Sequence, residues 1–348
     1  MLSNILVIRF SAFGDVAMTL PAIYSVAKAY PHHTFHILTS KSFESLFVNQ
    51  LPNIQVIGVD LKQYKGVGRL TRLAHQISKD YKIDAVADLH DVLRSKILRS
   101  YFFMRGKPVH YINKERAKKK AIVKHKAPLV PLKHSIDRYR DVFSKLGLDS
   151  EMSFKSYFEN QTLDVNQLNH LAFDTSKTNM GIAPFAMHAE KMYPIEKMEE
   201  VLKSLVAKEN THIYLFGGGA QEKEKMKEWE TAYSNVTSVV GQLTLQDELL
   251  LISHLSVMVT MDSANMHLAS LVNTPVVSIW GATHPYLGFY GYNQSPNNAV
   301  QINDLDCRPC SVFGNVPCWR GDHACMNWIA PHTVVDKIAT VIEANAHS

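Results

Sequence analysis

Residues 4–15, Asn4-Ile5-Leu6-Val7-Ile8-Arg9-Phe10-Ser11-Ala12-Phe13-Gly14-Asp15, run from a short apolar strand into a polar loop and on into a helix-like stretch. A carboxylate just past the carboxyl end of a first parallel strand faces the crevice where open α/β sheets bind ligands. The loop holds one glycine, so it is not the G-x-G-x-x-G turn that cradles a pyrophosphate. Any phosphate site therefore lies elsewhere in the chain. Two readings of Asp15 stay open on this segment alone: a cap for the helix that follows, or an acid available for chemistry.

Working outward, the first half alternates strand-like runs with helical periodicity. Asn4–Ile8, Thr34–Thr39, Ile54–Val59, Ile83–Ala87 and Pro108–Ile112 read as strands. Val67, Leu70, Leu73, Ala74 and Ile77 keep the i, i+3, i+4 spacing of an amphipathic helix, and Val92–Phe103 behaves similarly. Pro21 predicts that the helix after Asp15 starts or bends there. Short strands separated by helices imply parallel pairing with right-handed crossovers. Glu151 to Thr178 is polar and Asn- and Gln-bearing, and reads as an inter-domain connection. The same alternation then restarts, with strands at Met180–Ala183, Thr211–Phe216, Val236–Val240, Val257–Met261 and Val276–Trp280. Helical stretches at Ile195–Ala207, Gln221–Ala232, Leu245–Ser253 and Met266–Leu271 lie between them. The expected fold class is α/β: two Rossmann-like doubly wound domains, 1–165 and 166–330, facing a central cleft.

At 348 residues the chain exceeds one ordinary core, and 46% hydrophobic with 20% charged residues is a globular composition. No apolar run reaches membrane-spanning length, and the first residues lack a secretory pattern, so cytoplasmic residence is expected. The net charge of +5 is unevenly placed. Between Arg105 and Arg138 eleven Lys and Arg face two acids, Glu115 and Asp137. That stretch is either a solvated face or a surface for something anionic.

Several strand-end loops of the second half carry chemistry-bearing residues. Lys191, in the loop before Pro194, is either an exposed lysine or a point charge for a phosphate. Gly217-Gly218-Gly219 is a tight turn or a close approach to a ligand. Thr260-Met261-Asp262-Ser263-Ala264-Asn265-Met266-His267 joins a buried strand to a helix, whose first N–H groups favour a diphosphate. Asp262 or Ser263 can also cap that helix with no ligand. Cys307, Cys310, Cys318 and Cys325, spaced C-x2-C-x7-C-x6-C, look like a structural zinc site; free cysteines in a loop are the other reading. Asp304-Leu305-Asp306 has the D-x-D letters of metal-dependent sugar transferases but lies away from the strand-end loops, and is read as coincidence. The seventeen histidines contain no H-E-x-x-H pair.

Four stretches together resemble glycosyltransferase family 9, the ADP-heptose:lipopolysaccharide heptosyltransferases. They are Ile5 to Arg9 through Ser11, Gly14, Asp15 and Pro21; Asp88-Leu89-His90 through Arg94-Ser95; Lys191-Met192-Tyr193-Pro194; and Asp262-Ser263-Ala264 through His267-Leu268-Ala269 to Thr274-Pro275-Val276. Gly281-Ala282-Thr283 with Pro285 continues the last, and Cys307 to Met326 is similar to the family's cysteine-containing segment.

The resemblance implies a GT-B fold, with a C-terminal helix over 331–348 returning towards the first domain. It implies an inverting enzyme that needs no divalent metal or other cofactor. Its donor would be a nucleotide sugar, ADP-heptose, and its acceptor the lipopolysaccharide core, an anionic lipid-linked saccharide met at the inner face of the membrane. No nucleic acid is involved. Asp15 matches the family's general base, with Ser11, Gly14, Arg94 and Arg138 on the acceptor side. Lys191 matches the lysine on the donor phosphates. Glu222, Leu243, Thr244, Asp262, Ser263, Ala264, Asn265 and His267 fall on the donor side. The chain departs from the family where Ala264 replaces a glycine, and where Ala186 and Met187 replace hydroxyl residues. Those departures bear on the sugar carried. Another nucleotide sugar passed to a surface glycan is the alternative within the enzyme class, and a non-catalytic nucleotide-sugar binder the alternative outside it. A dehydrogenase would need the glycine fingerprint, and a non-catalytic binder has no use for Asp15.

Overall fold

The computed structural model describes residues 3–47, 51–159, 161–171 and 173–346. It divides into two compact units, Met1–Lys114 with Lys133–Glu159, and Glu115–Leu132 with Asn160–Ser348.

The first unit is built on five parallel strands: β1 (Asn4–Ile8), β2 (Thr34–Ser40), β3 (Ile54–Val59), β4 (Ala85–Asp88) and β5 (Val109–Tyr111). Their order is β3-β2-β1-β4-β5, so the direction of winding reverses between β1 and β4. Ile5 to Ile8 are wholly buried, as a parallel strand covered on both faces requires. The helices are α1 (Phe13–Ala17), α2 (Leu20–Ala29), α3 (Val67–Tyr81) and α4 (Leu93–Phe103), then α5 (Arg116–Val123), which belongs to the second unit, and α6 (Ser135–Ser144). As Pro21 predicts, the chain breaks after α1 and restarts with proline in the first turn of α2, where its missing N–H costs nothing. In α3 the apolar stripe Leu70, Leu73, Ala74 and Ile77 is buried against the sheet. Each leucine there contributes roughly 1.5–3 kcal/mol.

The second unit has six parallel strands, β6 (Thr178–Ala183), β7 (Thr211–Leu215), β8 (Val236–Ser238), β9 (Val257–Met261), β10 (Val276–Trp280) and β11 (Ala299–Gln301), in the order β11-β10-β9-β6-β7-β8. Its reversal falls between β6 and β9. The helices are α7 (Ile195–Val206), α8 (Ala220–Ala232), α9 (Leu245–Ser253), α10 (Ala264–Leu271), the short α11 (Ala324–Asn327) and α12 (Pro331–Ala346). Val334, Ile338 and Val341, at i, i+4, i+7 on α12, are buried in this unit's core.

Most expected strands lie within two residues of the observed ones. The sequence pattern gave no sign of α5, α6 or β11. The polar connection holds a single 3₁₀ turn, Val165–Leu171, whose Leu168 and Leu171 are buried. Among the described residues no helix is long and apolar enough to cross a membrane.

Candidate functional site

In each unit the residues singled out from sequence collect at the reversal of strand order, where two adjacent strand ends diverge and leave a crevice. In the first unit those strands are β1 and β4. Arg9 leaves β1 buried, with 3% of its surface exposed, and its Nη2 lies 2.5 Å from Asp15 Oδ2. Its Nη1 donates to Leu89 O at 2.8 Å, and its guanidinium sits 5.8 Å from the centre of the Tyr139 ring. Burial works against the charge of Arg9, but Asp15, Tyr139 and Asp88 outweigh it and hold the guanidinium protonated. Asp15 also lies 3.5 Å from the N–H of Ala12 at the start of α1, a long contact beside the ion pair. Asp15 is thus a carboxylate that reaches the cap of α1, is held by a buried arginine and stays 35% exposed.

From the end of β4, Asp88 Oδ1 accepts the N–H groups of His90 and Asp91, both at 2.9 Å, and turns the chain towards β1. Arg99 closes the turn on Asp88 Oδ2 at 2.8 Å and Asp91 Oδ1 at 3.1 Å. The His90 Nδ1 accepts from Phe10 N at 3.4 Å, and its Nε2 faces Ser11 Oγ at 3.5 Å. Burial, with Arg9 and Lys114 nearby, pushes the imidazole down to about 3. It is therefore neutral and presents Nε2–H to Ser11. Ser11 and Arg94 are exposed, and Gly14 half-buried. Arg138, expected among the groups that meet the acceptor, is 3% exposed. Its Nη1 donates to Lys114 O at 3.4 Å and its Nη2 to Ser135 Oγ at 3.1 Å, so it acts on the chain rather than at the surface.

In the second unit the diverging strands are β6 and β9. The loop after β6 brings Lys191 Nζ to 3.0 Å from Asp262 Oδ2, at the end of β9. The Thr283 hydroxyl, just past β10, donates to the same oxygen at 3.0 Å. Thr260 Oγ1 and Ser263 Oγ are 2.8 Å apart. Ser263 is the residue before α10, so Ala264 and Asn265 form the helix's first turn and His267 lies buried in the next. Lys191 and the Thr283 hydroxyl thus converge on the Asp262 carboxylate, which directly precedes Ser263, the residue before α10. A helix start carries partial positive charge, and with the lysine it offers two kinds of group that can receive an oxyanion.

The other expected donor residues have local partners. The Glu222 carboxylate accepts the N–H groups of Gly218 at 2.8 Å and Gly219 at 3.2 Å, capping α8. Thr244 Oγ1 caps α9 by accepting from Asp247 N at 3.2 Å, and Leu243 is half-buried before it. Among the described residues no three His, Cys, Asp or Glu side chains are gathered to hold a metal ion. Of the two readings of Cys307, Cys310, Cys318 and Cys325, structural zinc or free cysteines in a loop, this arrangement is that of the second. None of the four is in a disulfide, burial pushes Cys310 up to about 11, and two guanidiniums lie within electrostatic reach of the group: Arg308 of Cys307, Cys310 and Cys325, and Arg320 of Cys307 and Cys318.

The basic stretch divides between the units. Arg105, Lys107, Lys133 and Arg138 belong to the first; α5 belongs to the second, where Lys119 is buried 3.7 Å from the centre of the Phe289 ring. Leu132 N donates to Tyr286 O at 2.8 Å and ties the segment's end to the same unit. Exposed around these anchors are Arg116, Lys118, Lys120, Lys124 and Lys126, with Leu129 and Val130.

Sequence reasoning quoted Arg9, His90 and Thr283 only as letters of a pattern. Their roles depend on which strands are neighbours, which no local signal carries.

Comparison with known proteins points to one family. The family profile described as glycosyltransferase family 9 (heptosyltransferase) matches residues 70–316. The lipopolysaccharide core heptosyltransferase OpsX of Haemophilus influenzae is 25% identical over 316 residues, 87% of this chain and 83% of that protein. Lipopolysaccharide heptosyltransferase 1 of Escherichia coli K12 is 24% identical, over 89% of this chain and 98% of its own. A crystal structure of a family 9 glycosyl transferase from Veillonella parvula superposes with a TM-score of 0.74 at 18% identity, covering 98% of each chain. The E. coli heptosyltransferase WaaC with ADP gives 0.67 at 18% identity, over 97% of this chain and 99% of its own.

Proposed function

The chain is a glycosyltransferase and belongs to family 9, and from that premise we propose that it transfers a heptose, with inversion, from ADP-heptose to the lipopolysaccharide core. The observation that carries the reading is the Lys191–Asp262–Thr283 cluster at the start of α10. It sets a lysine beside the start of α10, groups that would receive a donor diphosphate, and Asp15 lies at the matching strand end of the first unit. The names of the relatives, all heptosyltransferases of lipopolysaccharide or lipooligosaccharide, support the sugar and the acceptor.

In this reading Asp15 accepts the proton of an acceptor hydroxyl as that oxygen attacks the anomeric carbon. Attack opposite the leaving diphosphate gives inversion in one displacement, with no covalent sugar intermediate. Charge developing on the departing ADP falls on Lys191 and on the N–H groups at Ser263 to Asn265. Lys191 and the helix start supply the positive charge that a divalent ion supplies in other transferases, so the proposed reaction is independent of added metal. Ser11 and Arg94, both exposed, meet the acceptor, while Arg138 holds Lys114 in place. The exposed lysines of α5 meet the anionic core or headgroups at the membrane surface.

The donor panel tests this. ADP-heptose is compared with other ADP-, UDP- and GDP-sugars by released nucleotide, with and without EDTA. ADP-heptose is expected to turn over at least tenfold faster than any other donor, and EDTA to change the rate less than twofold. Faster turnover of another nucleotide sugar overturns the heptose assignment. The replacement of glycine by Ala264 at the first position of α10 makes that the second reading.

A further inference from the structure

The segment that carries the cysteines does structural work on the donor lysine. Gly314 sits at φ +74 with its Cα against the stem of Lys191, and a Cβ there would run into Lys191 Cγ and Cδ. Ser311, 1% exposed, sets this contact: its Oγ accepts from Gly314 N at 2.9 Å and from Phe313 N at 3.4 Å. The same segment grips the loop after β10. Cys310 N and Ser311 N both donate to Ala282 O at 3.1 Å. Arg308 is 7% exposed; its Nε donates to Gly281 O at 2.6 Å and its Nη2 to Thr283 O at 3.0 Å. On its other side that loop bonds Glu190 O through Ala282 N at 3.3 Å, one residue before Lys191. Thr283 in turn bonds the carboxylate that pairs with Lys191.

We propose that residues 308–314 form a bracket that presets the Lys191–Asp262 pair, with Gly314 and Arg308 as positioning residues for donor binding. The proposal rests on the assignment of Lys191 to the donor diphosphate. A lysine has four rotatable bonds and loses much freedom when it binds. A bracket that holds its stem before the donor arrives removes that loss from the binding step. Glycine is required at 314 for two reasons, the left-handed backbone and the absent Cβ.

The test is a double-mutant cycle read by calorimetric ADP binding, with thermal melting as the check on folding. Lys191→Ala is expected to weaken ADP at least tenfold. Gly314→Ala is expected to do nearly as much, with melting lowered by the few degrees that left-handed strain costs, and the double variant to bind no worse than Lys191→Ala alone. Ser311→Ala, a milder change on the same contact, is expected to weaken ADP several-fold and covers the case in which Gly314→Ala does not fold. A readout free of nucleotide is NMR of reductively ¹³C-methylated lysines. The resonance lost in Lys191→Ala is expected to shift in Gly314→Ala towards its position in Asp262→Asn. Full ADP affinity in Gly314→Ala and Ser311→Ala, with an unmoved lysine resonance, overturns the bracket and leaves the donor assignment standing. Additive losses overturn it equally, because a merely structural role does not act through Lys191. No loss of ADP in Lys191→Ala overturns both.

Discussion

Asp15 carries the heaviest chemical burden of any residue in the proposed reaction, and its surroundings say how it is aimed. Arg9 fixes one carboxylate oxygen at 2.5 Å and is itself locked by Leu89 O. Asp15→Asn keeps the size and most of the contacts but cannot accept a proton. Turnover is expected to fall by roughly 10²–10⁴, with ADP affinity within twofold of the parent. Full activity in that variant would remove Asp15 as the base. His90 gives a second residue-level prediction. Its imidazole is held at about 3, below the ordinary value of 6.5. The unfolded chain therefore takes up a proton between those two values while the folded chain does not, so stability is present above pH 6.5 and drains as pH falls. Each pH unit in that window costs up to about 1.4 kcal/mol. In melts run from pH 7 to pH 4, His90→Asn is expected to be the less stable at pH 7 and to lose less on acidification. Parallel curves would mean that His90 titrates normally.

At the level of elements, two helices make separable predictions. Glu248 lies in the first turn of α9, where burial pushes its carboxyl up to about 7 from 4.5. Here the sign is the reverse of His90. Stability is full below pH 4.5 and declines until the folded-state value near 7 is passed. Glu248→Gln is expected to gain on the order of 2 kcal/mol over the parent at pH 8 and almost nothing at pH 4.5, measured by denaturant unfolding. Helix α5 is the other case. Lys119 is spent inwardly on Phe289, whereas Lys118, Lys120 and Lys124 point to solvent. Replacing those three with serine is expected to weaken binding to lipopolysaccharide-containing vesicles at least tenfold and to leave ADP binding unchanged. Equal vesicle binding would reassign α5 to an ordinary solvated face.

Across the whole molecule, what was legible in the sequence follows from the range of the interactions involved. Wholly buried parallel strands write themselves as apolar runs, so β1, β3, β9 and β10 were found at their observed limits. Helix α3 shows its stripe because only one face is covered. Helices α5 and α6 follow no regular strand–helix alternation, and β11 is three residues long at a sheet edge, too short for a pattern. Among candidate site residues, Asp15 and Asp262 could be placed because strand-end positions can be counted along the chain, and Lys191 was marked by the family resemblance. The partners that aim them could not be placed in this way. Arg9 meets His90 and Tyr139, Lys191 meets Gly314, and Asp262 meets Thr283, only after the strand order is known. The cysteine segment is a related case: its spacing says nothing of Arg308, whose bonds to Gly281 O, Ile302 O and Thr283 O organise the loop. Acid should destabilise the molecule in both units, since burial lowers His36 and His90 in the first and His212 and His284 in the second.

In the proposed reaction, the pair between Lys191 and Asp262 has a consequence for the end of the catalytic cycle. Before the donor arrives, Asp262 serves as a tethered counter-ion, so the lysine is neutralised from within and offers little to chloride or a single phosphate. A diphosphate outcompetes that counter-ion because it brings two charges and can engage the start of α10 as well. Once the sugar has left, the same carboxylate competes for the lysine with departing ADP. Affinity for the spent nucleotide is thereby capped, and the site clears itself for the next turnover.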